Sequence, residues 1–209
     1  FGEKENKSMG KYFGTDGIRG KYGEKLDEAL AYKTGLALGE IYGGGTFVVG
    51  RDTRVSGEEL ETALVKGLTD MGGEVMLPGI VPTPALAMFA KKHGAACGIM
   101  ISASHNPPEY NGIKVFDGNG VKYSEEQEGS VEYYIDNPPV IKGGGKVYSG
   151  GNGRAEYLDY AVCAVNADFR GLKAWLDFGY GAASTVASCA AKKLTAAAAR
   201  FTPITSATA

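Results

Sequence analysis

The chain has 209 residues, 44% hydrophobic and 22% charged, the make-up of one or two ordinary globular domains. A net charge of −2 offers no basic patch for nucleic acid and no polybasic tract for a membrane surface. No apolar run approaches the ~20 residues needed to span a bilayer.

The polar start FGEKENKS lacks the apolar core of a signal peptide, so Met9 reads as the native start and residues 1–8 as a non-native remnant. Cys97, Cys163 and Cys189 are odd in number and lack close pairing, which suits reduced cytosol and a cytoplasmic protein. Cys97 lies in an apolar run and reads as a small core residue. Glycine is the outlier, at 32 residues, and marks turns as well as places where backbone approaches a ligand closely.

Residues 26–42 read as a helix with Leu26, Ala29, Leu30, Lys33 and Ala37 at helical spacing, stopped by three glycines. Residues 46–49 form a short buried strand. Ser56 with Glu59 three residues on suggests a capping box opening a second helix. Its apolar stripe is Leu60, Ala63, Leu64, Gly67, Leu68 and Met71. A strand at 74–77 follows, then a helix from Thr83 as cap, with Pro84 in its first position, to His93. The strand at 98–101 closes this β-α-β-α-β alternation, which predicts a largely parallel sheet covered by helices. Residues 125–137 read as a surface helix, and 140–154, rich in glycine, as a loop or hairpin near a domain boundary. A linking helix at 155–166, a strand at 172–178, a turn at 179–181 and a helix at 182–194 would open a second α/β unit. The tail from Thr195 has little that could build a core.

The most informative stretch is 98–114, GIMISASHNPPEYNGIK. An apolar strand ends abruptly in Ser102, Ser104, His105 and Asn106, followed by two prolines that stiffen the loop. In an open α/β sheet, ligands bind where strands end in this way. Two residues apart on an extended chain, Ser102 and Ser104 would share a face. Lys114 interrupts a second apolar run, 113–116, and a cation there needs a partner or a task. Neither serine lies in a G-x-S-x-G elbow, and no glycine cluster fits a nucleotide-binding G-x-x-x-x-G-K-[ST] loop.

ISASHNP followed by NGIK resembles the active-site loop of the phosphohexomutases, which move a phosphate between two positions of a hexose. Three further motifs stand in the family's order: YFGTDGIRG at 12–20, VVGRDTRVSG at 48–57 and GIVPTPA at 79–85. The first two look most like the phosphoglucosamine mutase branch. The resemblance is close from residue 10 to about 122 and returns more weakly at 171–187. It implies a three-layer α/β/α domain with a largely parallel mixed sheet over residues 9–153, and a linking helix and incomplete second α/β domain over 154–209.

By the same resemblance, Ser104 carries a phosphate that passes to one sugar hydroxyl, giving a bisphosphate whose other phosphate then returns to the serine. Ser102 is its rival for that role. Lys114 is the candidate general acid or base, with a pKa lowered by partial burial. His105 and Asn106 orient the serine loop. Arg19 presents a guanidinium shaped for phosphate, and Ser102 and Asn106 stand beside it as candidate phosphate contacts. Arg51 and Arg54 flank Asp52, a pattern read as a structural ion-pair cluster. The expected metal is one Mg²⁺ per site, held through the phosphate on Ser104 and by carboxylates of a D-G-D-G-D-R loop that these 209 residues lack. A bisphosphorylated hexose is the expected activator.

The family's sugar-recognition and second phosphate-binding loops are also missing, and Asp177-Phe178-Gly179-Tyr180-Gly181 departs from its usual turn. The chain therefore reads as an amino-terminal piece, inactive alone, of an enzyme interconverting glucosamine 6-phosphate and glucosamine 1-phosphate. A phosphomannomutase/phosphoglucomutase, or a non-catalytic phosphosugar-binding module, stays open as an alternative. The partner is a small phosphosugar, with no nucleic acid and no membrane, and a homodimer is allowed.

Overall fold

The structure, a computed structural model, describes residues 10–165 and 176–195. Thirteen elements follow in chain order: β1 (Phe13–Gly14), β2 (Gly17–Lys21), α1 (Glu28–Ile41), β3 (Gly45–Arg51), α2 (Gly57–Asp70), β4 (Gly73–Ile80), α3 (Thr83–Lys92), β5 (Cys97–Ile101), β6 (Tyr110–Asp117), α4 (Glu125–Asp136), β7 (Lys146–Ser149), α5 (Gly153–Cys163) and α6 (Ser184–Thr195). The strands form one sheet in the order β1-β2-β6-β5-β3-β4-β7. Its centre, β5-β3-β4-β7, is parallel, and β6, β2 and β1 extend it antiparallel.

Alternation along the strands builds a core on each face of the sheet. From β3 and β5, Phe47, Val49, Ile99 and Ile101 point to the side covered by α1, α2 and α4, where they meet Leu38, Leu64, Leu68 and Val131. Val48 and Met100 point to the other side, against Leu86, Phe89 and Ala90 of α3. The result is an α/β/α sandwich with a mixed sheet.

Helices α1 and α2 cross backbone to backbone at Gly35 and Gly67. A methyl group on Gly35 would strike the Leu64 carbonyl, and one on Gly67 the Tyr32 carbonyl. Gly67→Ala is therefore expected to destabilise the fold by about 1–3 kcal/mol, as overpacking of a filled core does. Chemical denaturation checks it, and an unchanged midpoint would mean that the helices can part at no cost.

Several local expectations are corrected. Helix α1 begins at Glu28, capped by Asp27, whose carboxylate accepts the Leu30 amide at 2.8 Å. Its buried face runs through Ala31, Thr34, Gly35 and Leu38, leaving Ala29 and Lys33 exposed. Thr34 escapes a sequence reading because its hydroxyl is satisfied inside the helix, donating to the Leu30 carbonyl at 2.8 Å. Ser56 makes no capping hydrogen bond. Its hydroxyl instead accepts from the Asn111 amide at 3.0 Å. Helix α3 has Pro82 at its cap and Thr83 as its first residue, so Pro84 is second, still within the turn where a missing N–H costs nothing.

The glycine-rich segment expected as a loop or hairpin contains β7, which pairs parallel with β4 from Glu74↔Lys146 to Leu77↔Ser149. All four of its side chains are exposed, so no alternation betrayed it. Helix α5 packs on α3 and α6. Of the strand expected at 172–178, residues 172–175 lie outside the described residues and 176–178 have no regular structure. The turn at 179–181 and the helix after it are present, and the tail 196–209 lies outside the described residues. Among the described residues, no helix is long and apolar enough to cross a membrane.

Candidate functional site

The parallel strands β3, β4 and β5 all end at one edge of the sheet. The segments that follow, 52–55, 82–83 and 102–108, line a cleft of about 750 Å³ closed on one side by 179–182. Thr53 donates to the Tyr180 carbonyl at 2.8 Å, tying that last segment to the turn after β3.

Strand β5 stops at Ile101, and the chain turns before Ser104. The two serines therefore do not share a face as an extended chain would require. Ser102 is only 7% exposed. Its hydroxyl donates to Asp52 Oδ2 at 2.6 Å and accepts the Ser104 amide at 3.0 Å. Ser104 is exposed and stands at φ +57°. A left-handed backbone costs a non-glycine residue about 1–2 kcal/mol, so the surroundings must hold it there. Among the described residues the Ser104 hydroxyl has one hydrogen-bond partner, His105 Nδ1 at 3.4 Å.

What holds the loop is Arg54. Its Nη1 donates to the carbonyls of Pro107 at 2.6 Å and Tyr110 at 2.8 Å. Its Nη2 donates to those of Ser104 at 3.0 Å and Asn106 at 2.7 Å. Its Nε donates to Asp52 Oδ2 at 3.2 Å, and Asp52 Oδ1 accepts the Arg54 amide at 3.0 Å. The expected ion pair is present, with both side chains 11% exposed. Its grip on the serine loop was not legible, since sequence gives no clue to which carbonyls a guanidinium will meet. Arg51 turns away to Glu61 and Glu58.

Arg19, on β2, reaches the same loop. Its Nη1 donates to Asn106 Oδ1 at 3.3 Å and its Nη2 to Asp16 at 3.2 Å. Its Nε is buried and has no partner among the described residues. The side chain lies over Gly112, where a Cβ would come within 3.1 Å of Arg19 Cγ.

Lys114, on β6, pairs in register with Met100, so the two share a face of the sheet. Met100 lines the cleft; Lys114 does not, and no hydrogen bond or ion pair holds it among the described residues. Desolvation pulls its pKa below the ordinary lysine value, opposed by Asp16 and reinforced by the cations Arg19 and Lys122. Lys122 itself donates to the Thr15 carbonyl. Lys122 also pairs with Glu128 at 3.6 Å, and Arg19 with Asp16, which leaves Lys114 the cation of the three without an ion pair among the described residues.

Ser102, Ser104 and His105 on one side and Asn106 and Arg19 on the other are joined into one hydrogen-bonded group by Arg54, and Lys114 stands beside it. Among the described residues no three His, Cys, Asp or Glu side chains gather as a metal site. Cys97 is buried, its thiol pKa pushed up by desolvation, which makes it inert.

Residues 10–139 match the family model described as phosphoglucomutase/phosphomannomutase, alpha/beta/alpha domain I. The chain is 45% identical over 199 residues to phosphoglucosamine mutase of Finegoldia magna, covering 90% of itself and 44% of that protein. It is 49% identical over 183 residues to phosphoglucosamine mutase of Thermotoga sp. strain RQ2, covering 85% of itself and 42% of the relative. A crystal structure of a phosphoglucomutase/phosphomannomutase family protein from Burkholderia thailandensis superposes with a TM-score of 0.68 at 28% identity, over 89% of this chain and 42% of that one. The chain thus spans less than half the length of the curated relatives it matches.

Proposed function

The chain belongs to the phosphoglucomutase/phosphomannomutase family through its domain I, and we propose that it supplies the phosphate-carrying part of a phosphoglucosamine mutase. The observation that carries this reading is Ser104: an exposed hydroxyl, on a strained turn, at the edge where the parallel strands end. Its neighbour Ser102 is buried with its hydroxyl committed at both ends.

In the proposed reaction, phosphoserine 104 gives its phosphoryl group to a sugar hydroxyl. The bond from phosphorus to Oγ breaks, a bond to the sugar oxygen forms, and the hydroxyl proton leaves to a base while Oγ regains one. The bisphosphate turns over, and its other phosphoryl returns to Oγ by the reverse step. Phosphoryl transfer asks mainly for positioning and for charge against the phosphoryl oxygens. The Arg19 guanidinium, part-exposed and making one hydrogen bond from each Nη among the described residues, suits a phosphoryl oxygen. Lys114, unpaired among the described residues and with a pKa lowered by desolvation, is suited to exchange a proton with the sugar hydroxyl. His105, 3.4 Å from Oγ, and Asn106, tethered to Arg19, orient the loop. A Mg²⁺ ion, held here only through the phosphate on Ser104, would supply further neutralising charge and suits hard oxygen ligands.

A phosphomannomutase/phosphoglucomutase is the second reading, favoured by the fold match to the Burkholderia protein. A coupled assay in a protein of the relatives' full length separates the two. Glucosamine 6-phosphate should give the highest kcat/KM, and preference for mannose or glucose phosphates would transfer the chain to the second reading. The 209-residue chain itself is expected to melt cooperatively and to show no turnover with Mg²⁺ and a hexose bisphosphate present. Measurable turnover would mean that the site is complete within these residues.

A further inference from the structure

We propose that Arg54, Asp52 and Ser102 form one positioning unit that locks the backbone of Ser104 in its left-handed turn, presenting the hydroxyl to the cleft in a single orientation. The inference rests on the reading of Ser104 as the phosphate carrier and adds how that serine is held.

A guanidinium has five N–H donors. In Arg54 all five are used, four on carbonyls of the serine loop and one on Asp52. Those carbonyls belong to Ser104, Asn106, Pro107 and Tyr110, so a single planar group fixes both ends of the loop. Asp52, paired with it and equally buried, neutralises the charge. With its donors spent and its charge matched, Arg54 has little left for a substrate phosphate. Arg19, with one hydrogen bond from each Nη among the described residues, stands in contrast.

Asp52 passes this constraint on. Its Oδ2 accepts both Arg54 Nε and the Ser102 hydroxyl, and the Ser102 oxygen accepts the Ser104 amide. Ser104 is thereby gripped at its N–H from one side and at its C=O from the other. These two contacts fix the peptide planes on both sides of a residue whose own φ is unfavourable. Lysine cannot replace the clamp, because its three donors radiate from one atom and cannot span four carbonyls.

The test uses a protein of the relatives' full length in three forms: wild type, Arg54→Lys and Ser102→Ala. Each is exposed to glucosamine 1,6-bisphosphate and followed by mass spectrometry, steady-state kinetics and hydrogen exchange of the 102–110 peptide. Arg54→Lys should lower kcat and the rate of Ser104 phosphorylation by about 10²-fold, the scale of a misplaced reacting group. KM should stay within about threefold, since no substrate contact is removed. Ser102→Ala should slow phosphorylation while still reaching one phosphate on Ser104. Both variants should lose hydrogen-exchange protection in the loop. Unchanged protection, or lost protection with unchanged kcat, would overturn the proposal. So would a raised KM at constant kcat, which would make Arg54 a substrate contact. A wild type that takes no phosphate on Ser104 would remove the functional reading itself, and this proposal with it.

Discussion

Ser104→Ala should abolish turnover, by about 10⁴-fold or more, the scale on which removal of a covalent nucleophile acts. Stability should hardly change, because the side chain is exposed and makes one long contact, to His105. Ser104→Gly separates chemistry from conformation more sharply. It should be as inactive as the alanine variant, yet raise stability by about 1 kcal/mol, since glycine takes φ +57° freely. Steady-state assays beside thermal melts check both variants. A Ser104→Ala protein with near-normal turnover would take the phosphate off this residue altogether. A Ser104→Gly protein no more stable than wild type would mean that the turn is not strained.

The second large effect is expected at Lys114. Lys114→Met should lower kcat by about 10²–10⁴-fold, the usual worth of a general acid or base. The fold should tolerate it, because no ion pair is broken and a half-buried cation is replaced by an apolar chain of similar length. The wild-type pH–rate profile should show an ionisation below the ordinary lysine value of 10.5, since desolvation favours the neutral amine. If Lys114 acts as an acid, the rate falls as pH rises through that ionisation; if as a base, the rate rises. Either limb should vanish in Lys114→Met. A variant that keeps both its rate and its profile would leave Lys114 a lone cation with no part in the reaction.

The alternation of strands and helices was legible because each strand from β3 to β5 is an apolar run bounded by glycine or a polar turn, and α2 carries an uninterrupted stripe. The edge of the sheet that forms the cleft followed from that order alone. What escaped was pairing that leaves no trace in side-chain pattern. Strand β7 joins the sheet by its backbone, with every side chain in solvent. The buried face of α1 departs from the apolar spacing because Thr34, a polar residue, is buried with its hydroxyl turned back onto its own helix.

At the site, residue types announced themselves but contacts did not. Ser102 and Ser104 look equivalent in SASHNP. Only the turn after Ile101 sends one hydroxyl into a buried carboxylate and the other into solvent. Likewise, the Asp52–Arg54 pair reads as an ion pair in the sequence, whereas its hold on four carbonyls depends on how a loop fifty residues later folds over it. Ser56, which reads as a helix cap, is taken by Asn111 of β6, just past the same loop. Local sequence rules failed at the residues that surround Ser104.

The central claim is that Ser104 carries the phosphate, and mapping that phosphate tests it most directly. A protein of the relatives' full length is incubated with glucosamine 1,6-bisphosphate, and the phosphorylated residue is located by peptide mass spectrometry in wild type, Ser102→Ala and Ser104→Ala. The expected result is one phosphate on Ser104, retained in Ser102→Ala and absent from Ser104→Ala. Phosphate on Ser102, or phosphate that survives the loss of Ser104, would contradict it.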